Sequence, residues 1–185
     1  MKKVTLLGDS IRQIGYGKKV PELLGEEYTV FQPTENCRFA KFTLRGVLHE
    51  WRAEIEGSDV IHWNNGLWDT CDLGDGVFTE EDEYVATMLR IARQLKQLGK
   101  TVIFATTTPV RPERPNCSTP RSAQYNAVLV PKLQEMGILI NDLYSLVAQD
   151  VYQYIREDDQ IHLTDAGIDV CAEQVARMIQ EAAEK

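Results

Sequence analysis

Apolar runs alternate with amphipathic stretches along the whole chain. Val4–Leu7, Tyr28–Phe31, Val60–Trp63, Val102–Ala105 and Ile138–Ile140 are short and largely apolar, which predicts buried strands. Helical spacing fills the intervals at Phe42 to Glu54, Glu80 to Leu98 and Arg121 to Met136, and again from Thr164 to the C-terminus. Thr79 ahead of Glu80-Glu81-Asp82 reads as an N-cap with acids in the first turn, where they complement the helix dipole. Gly99 and Gly137 read as helix stops, and Thr164-Asp165 as the cap of the last helix. Repeated strand–helix units predict a three-layer α/β/α domain around a parallel sheet of about five strands, joined by right-handed crossovers.

Functional groups on such sheets collect at the carboxyl ends of the strands. Ser10, Asn64 and Thr106-Thr107-Thr108-Pro109 directly follow predicted strand ends. Asp69–Gly76 and Val110–Pro120 read as loops; the second carries Pro112, Pro115 and Pro120 and is placed to overhang a site.

Composition narrows the function classes. The 185 residues make one domain, 1–185, with 43% apolar and 26% charged residues, an ordinary globular balance. A net charge of −8, spread along the chain, argues against nucleic acid or an anionic membrane as partner. The apolar stretch after Lys2-Lys3 stops at Gly8-Asp9, too short for a signal peptide, and no later stretch approaches the ~20 apolar residues of a membrane span. The expectation is a cytoplasmic protein whose Cys37, Cys71, Cys117 and Cys171 are free thiols. His49, His62 and His162 lack ligand spacing, so neither metal nor cofactor is expected.

Gly8-Asp9-Ser10 has two compatible readings. Asp9-Ser10 can cap a helix starting at Ile11, or Ser10 can be a nucleophile at a helix N-terminus. Asp159-x-x-His162 can hold an imidazole in one tautomer, with its second nitrogen free to act as a base; the alternative is a surface turn. Asp158 competes as orienter with a poorer spacing. Trp63-Asn64-Asn65-Gly66-Leu67-Trp68-Asp69 offers a carboxamide for an oxyanion, or simply an Asn-Asn-Gly turn. Trp51, Trp63 and Trp68 read as core, with a substrate wall as the other reading, and His62 as a core histidine. Arg111, Arg114 and Arg121 read as solvated loop charge.

The ordered set Gly8-Asp9-Ser10, the asparagine block after the third strand and Asp159-x-x-His162 resembles the SGNH/GDSL hydrolase family over essentially the whole chain. The resemblance implies a flavodoxin-like sheet, Ser10 as nucleophile, His162 as general base and acid, and Asp159 as its orienter. It places Ser10, Cys37 and Asn64 in the oxyanion hole, with Asp9, Asn65 and Trp68 as candidates for substrate contact. Asn36-Cys37-Arg38-Phe39-Ala40-Lys41 is similar to a segment of rhamnogalacturonan acetylesterases with Cys37 in a glycine's place, and a positive φ would strain it there. The Asn-x-Gly-Leu-Trp-Asp block resembles the PC-esterase-like branch, which favours Asn64 over Asn65. The function so implied is a serine esterase acting on a small-molecule or carbohydrate ester, and the short chain without an evident hydrophobic lid points to a small acyl group, acetyl first. An acyltransferase using the same acyl-enzyme and a non-catalytic carbohydrate-binding domain are the alternatives. No glycine-rich phosphate loop follows the first strand, which weighs against a nucleotide or flavin binder.

Overall fold

The computed structural model describes residues 1–184. Its strands are β1 (Lys2–Leu7), β2 (Tyr28–Phe31), β3 (Ser58–Trp63), β4 (Gly99–Ala105) and β5 (Leu139–Asn141). Its helices are α1 (Val20–Leu24), α2 (Ala40–Leu48), α3 (Arg52–Ile55), α4 (Leu67–Thr70), α5 (Glu81–Leu98), α6 (Thr119–Glu135), α7 (Leu143–Ala148), α8 (Val151–Tyr154) and α9 (Asp165–Ala183). The five strands are all parallel, in the flavodoxin-like order β2-β1-β3-β4-β5. The order reverses between β1 and β3, so a crevice opens beyond their carboxyl ends.

Strand alternation sorts the core onto both sheet faces. Val4 and Leu6 of β1 join Val60, Ile103 and residues of α1, α7 and α9 on one side. Leu7, Ile61, Trp63 and Phe104 join α2, α5 and α6 on the other. Burial of each such large apolar side chain stabilises by roughly 1.5–3 kcal/mol, and this holds the sheet edges that carry the loops.

Some local readings shift. The stretch from Phe42 to Glu54 is two helices, because the Trp51 ring lies against Gly46: a Cβ at Gly46 would come within 2.2 Å of it. The chain bends there through a Trp51 N–H to Gly46 carbonyl bond of 2.8 Å. Gly99 closes α5 as read, its N–H donating to the Leu95 carbonyl, and in the same extended conformation opens β4; a Cβ there would meet Ile61 Cδ1 at 2.6 Å. Gly137, at φ +73°, is left-handed just beyond the end of α6, as a glycine stop should be. Thr164 accepts the Gly167 N–H at 3.1 Å and caps α9. Thr79 caps nothing, since its hydroxyl donates to Asp69.

The cysteine expectation is corrected. Cys71 and Cys117 form a disulfide, while Cys37 and Cys171 are free and buried. One half-cystine comes from each of the two predicted loops, which close on each other across the crevice; the thiol argument for a reducing compartment therefore falls. No helix among the described residues is long and apolar enough to cross a membrane.

Candidate active site

β1 delivers Gly8-Asp9-Ser10 to the crevice. Asp9 Oδ1 accepts the Ile11 N–H at 2.9 Å and opens the single-turn helix Ile11–Gly15, whereas the Ser10 side chain makes no capping bond. The two readings of Asp9-Ser10 thus divide between the residues. Asp9 caps; the Ser10 hydroxyl is left for His162.

The turn before α9 brings the second half. Asp159 Oδ1 accepts the Ile161 and His162 N–H groups at 2.9 and 2.8 Å. Its Oδ2 lies 2.9 Å from His162 Nδ1, and His162 Nε2 lies 2.8 Å from Ser10 Oγ. Gln160, at φ +62°, gives the turn its shape. Asp158 faces away and pairs with Arg156. Partial burial works against an ionised Asp159, but the two backbone N–H groups and the imidazole outweigh it and hold the carboxyl down to about 2.

The asparagine block divides in two. Asn64 Nδ2 donates to Asp9 Oδ1 at 2.9 Å, and Asn64 Oδ1 accepts the Tyr16 hydroxyl at 2.8 Å. The amide orientation is therefore fixed from both ends, and a Cβ at Gly8 would strike Asn64 Oδ1 at 2.0 Å. Asn65 is fully buried, which corrects its place among substrate contacts. It accepts from Trp63 Nε1 at 3.0 Å and donates to the Arg38 carbonyl at 2.8 Å, tying the block to the loop after β2. Asp9 is likewise closed off from substrate, at 1% exposure. Trp68, 39% exposed, does face the crevice. Trp51 and Trp63 are core.

Cys37 is corrected as an oxyanion donor. Its N–H is occupied by the Gly8 carbonyl at 3.1 Å, while its Sγ accepts the Gly8 N–H at 3.3 Å. The left-handed residue is Arg38, at φ +50°, one position later. Buried Arg12 locks the same loop, donating to the carbonyls of Gly8, Pro33 and Glu35 at 3.1, 2.7 and 2.8 Å. Desolvation pushes the Cys37 thiol up, against the nearby Arg12 cation.

The loop arginines are not simply solvated, as expected of them. Arg111 Nε donates to the Ile155 carbonyl at 2.9 Å, Arg114 to the Asp159 carbonyl at 3.3 Å, and Arg121 to the Thr70 carbonyl at 2.9 Å. Arg111 and Arg114 strap the loop carrying Cys117 to Ile155 and to the Asp159 turn, and Arg121 ties the start of α6 to the end of α4. His62 is a core residue whose Nε2 lies 3.1 Å from Asn141 Nδ2; burial drives its imidazole down to about 3.

Sequence reasoning missed Tyr16, Arg12 and Asp69. Asp69 is 1% exposed and accepts the Ala40 N–H at 3.0 Å and the Thr79 hydroxyl at 2.8 Å. Desolvation raises its carboxyl to about 7. Nothing in the local sequence marks Tyr16 or Arg12, because apart from Gly8 the partners named for them lie more than 20 residues away.

Two hollows flank Ser10 and His162. One, of about 460 Å³, runs past Trp68 and the disulfide; the other, of about 410 Å³, runs past Lys18, Arg156 and Thr164.

No family model and no curated protein sequence matches the chain. Solved structures do. A lipase/acylhydrolase from Enterococcus faecalis superposes with a TM-score of 0.82 at 18% identity, covering 98% of this chain and 96% of that one. The chain has the SGNH hydrolase fold. A GDSL-like lipase from Bacteroides thetaiotaomicron gives a TM-score of 0.74 at 16% identity, over 98% of this chain and 89% of that one. An acetylxylan esterase from Geobacillus stearothermophilus gives 0.77 at 20%, over 96% and 94%. At these identities the SGNH architecture is what is shared, and the chemistry has to be argued from the residues.

Proposed function

We propose that this SGNH-fold protein is a serine esterase working through an acyl-enzyme on Ser10. The observation that carries the reading is the relay Ser10 Oγ, His162 and Asp159, with contacts of 2.8 and 2.9 Å. A serine hydroxyl is a poor nucleophile until an adjacent base takes its proton. His162 Nε2 takes it as Oγ bonds to the ester carbonyl carbon. Asp159 holds the tautomer and stabilises the imidazolium that forms.

The tetrahedral oxyanion is met by the Ser10 N–H and by Asn64, whose second amide N–H is not used by Asp9. Each such donor is worth roughly 3 kcal/mol in a water-excluded site. As the intermediate collapses, His162 returns the proton to the leaving alkoxide. Water then attacks the acyl-enzyme, giving its proton to His162. The carboxylic acid leaves, and the proton goes back to Ser10. The solved neighbours include acetylxylan esterases, which makes an acetyl ester of a carbohydrate or similar alcohol the first substrate to try.

The test is release of p-nitrophenol from p-nitrophenyl acetate by the wild type, Ser10→Ala and His162→Ala. Both variants should lose at least about 10³-fold in kcat/KM. Undiminished activity in Ser10→Ala would sink the mechanism. No activity in any form would return the protein to a binding role. Ester products formed on adding alcohol acceptors would make it a transferase instead.

A further inference from the structure

The hollows on either side of Ser10 differ in chemistry, and the difference assigns the two halves of the substrate. The larger groove presents Ile14, Leu67, Trp68, Leu73 and Ile161 around the Cys71–Cys117 bridge. Ile14, Trp68 and Leu73 are 40%, 39% and 55% exposed. Singly exposed apolar side chains need no explanation, but several drawn from three chain segments onto one groove mark a binding surface. At about 460 Å³ it falls within the range of pockets for drug-sized ligands, far more than an acetyl methyl occupies. The opposite cleft, which shares Ile14 and includes Ile11, Leu163 and Ile168, adds the charged and polar groups Lys18, Arg156, Thr164 and Asp165 beside His162.

Position tells which half goes where. Both hollows touch Ser10 and His162, but the polar cleft continues along Arg156 and from Leu163 to Ile168, the segment that carries the imidazole that must protonate the departing alkoxide. The apolar groove includes Asn36, Leu67 and Trp68, from the loops next to Asn64, on the oxyanion side. We infer that the apolar groove holds the acyl group, and that the preferred substrate is an ester of an apolar acid of about four to eight carbons with a polar alcohol. The inference rests on the esterase reading and extends it beyond acetyl. The disulfide, with Arg114 and Arg121 bonded to the Asp159 and Thr70 carbonyls, keeps the groove open without substrate. A preformed pocket avoids the ordering cost of binding.

Each methylene buried in such a groove raises kcat/KM by up to about fourfold. The experiment compares ethyl hexanoate with hexyl acetate, isomers of equal composition that place the same chain on opposite sides of the ester. Release of acid is followed in a pH-stat, with p-nitrophenyl acetate as control. Ethyl hexanoate should be favoured at least tenfold, and Trp68→Ala and Leu73→Asp should each cut that preference at least threefold. Both positions are exposed enough for the variants to fold. Equal turnover, a preference for hexyl acetate, or turnover of neither isomer by an enzyme that hydrolyses p-nitrophenyl acetate at Ser10 would overturn the assignment and leave the esterase reading standing. Loss of the control reaction as well would overturn both.

Discussion

Asp159 and Asp69 are both carboxylates flanking one crevice, and both accept a backbone N–H and a side-chain donor. Asp159, in a partly exposed turn, is held down to about 2, whereas Asp69, at 1% exposure, is raised to about 7. Desolvation opposes ionisation in both places: around Asp69 it dominates and the Asp9 carboxylate adds to it, whereas around Asp159 two backbone N–H groups and the imidazole outweigh it. Around Asp159, water and three short contacts sustain a permanent negative charge that can steady an imidazolium. Around Asp69 the charge is penalised, and the group serves to join the start of α2 to the loop after α4. Asp9 follows the Asp69 pattern: burial raises it despite its bonds from Asn64 and Ile11. Charge is kept where the proposed chemistry needs it, and buried carboxylates hold the frame.

The comparison breaks first at the charged end. Asp159→Asn should lower kcat/KM for p-nitrophenyl acetate by roughly 10³-fold, because the amide no longer stabilises the correct tautomer. Asp69→Asn should change it less than fivefold. Similar losses in both would erase the distinction. Asn64→Ala should follow, with kcat reduced about 10²-fold and KM within threefold, as expected for a donor that acts in the transition state.

Tyr16→Phe tests the buried frame behind that donor. Its hydroxyl fixes the Asn64 amide from a fully buried position. Removing it should lower kcat by about three- to tenfold with KM unchanged, and stability by about 1 kcal/mol. An unchanged kcat would reduce Tyr16 to packing.

The last effect is on stability against pH. Asp69 has a higher pKa folded than unfolded, so between about pH 4 and 7 the native state keeps a proton that the unfolded chain has lost. Stability from this group therefore falls as pH rises through that window, by up to a few kcal/mol. His62 acts oppositely: driven down to about 3 by burial, it costs stability as pH falls below the ordinary imidazole range. Urea titrations between pH 4.5 and 7.5 should show the stability of the wild type falling relative to that of Asp69→Asn as pH rises, because His62 contributes equally to both. An identical slope would contradict the buried-carboxylate reading.

Much of the architecture was readable because it rests on local periodicity. The five apolar runs became the five strands, and the residues following β1 and β3 stand at the crevice. Asp159 and His162 were readable for the same reason, since a spacing of three in a turn is a local property. Long-range partners were not. Cys37 read as a donor until Gly8 occupied its N–H, and Asn65 read as a candidate for substrate contact until Trp63, Arg38 and Tyr84 took its polar groups. The disulfide joins residues 46 apart, whose loops meet only because the sheet brings them together. Each of these depends on which loops the strand order makes neighbours, which local spacing does not encode.

Covalent capture tests the central claim most directly. The wild type, Ser10→Ala and His162→Ala would be treated with a fluorophosphonate, and the adduct located by mass spectrometry of the digested protein. The account predicts one adduct per chain, on the peptide carrying Ser10, slowed strongly in His162→Ala and absent in Ser10→Ala. An adduct on another residue, or a wild-type Ser10 that stays unlabelled, would contradict it.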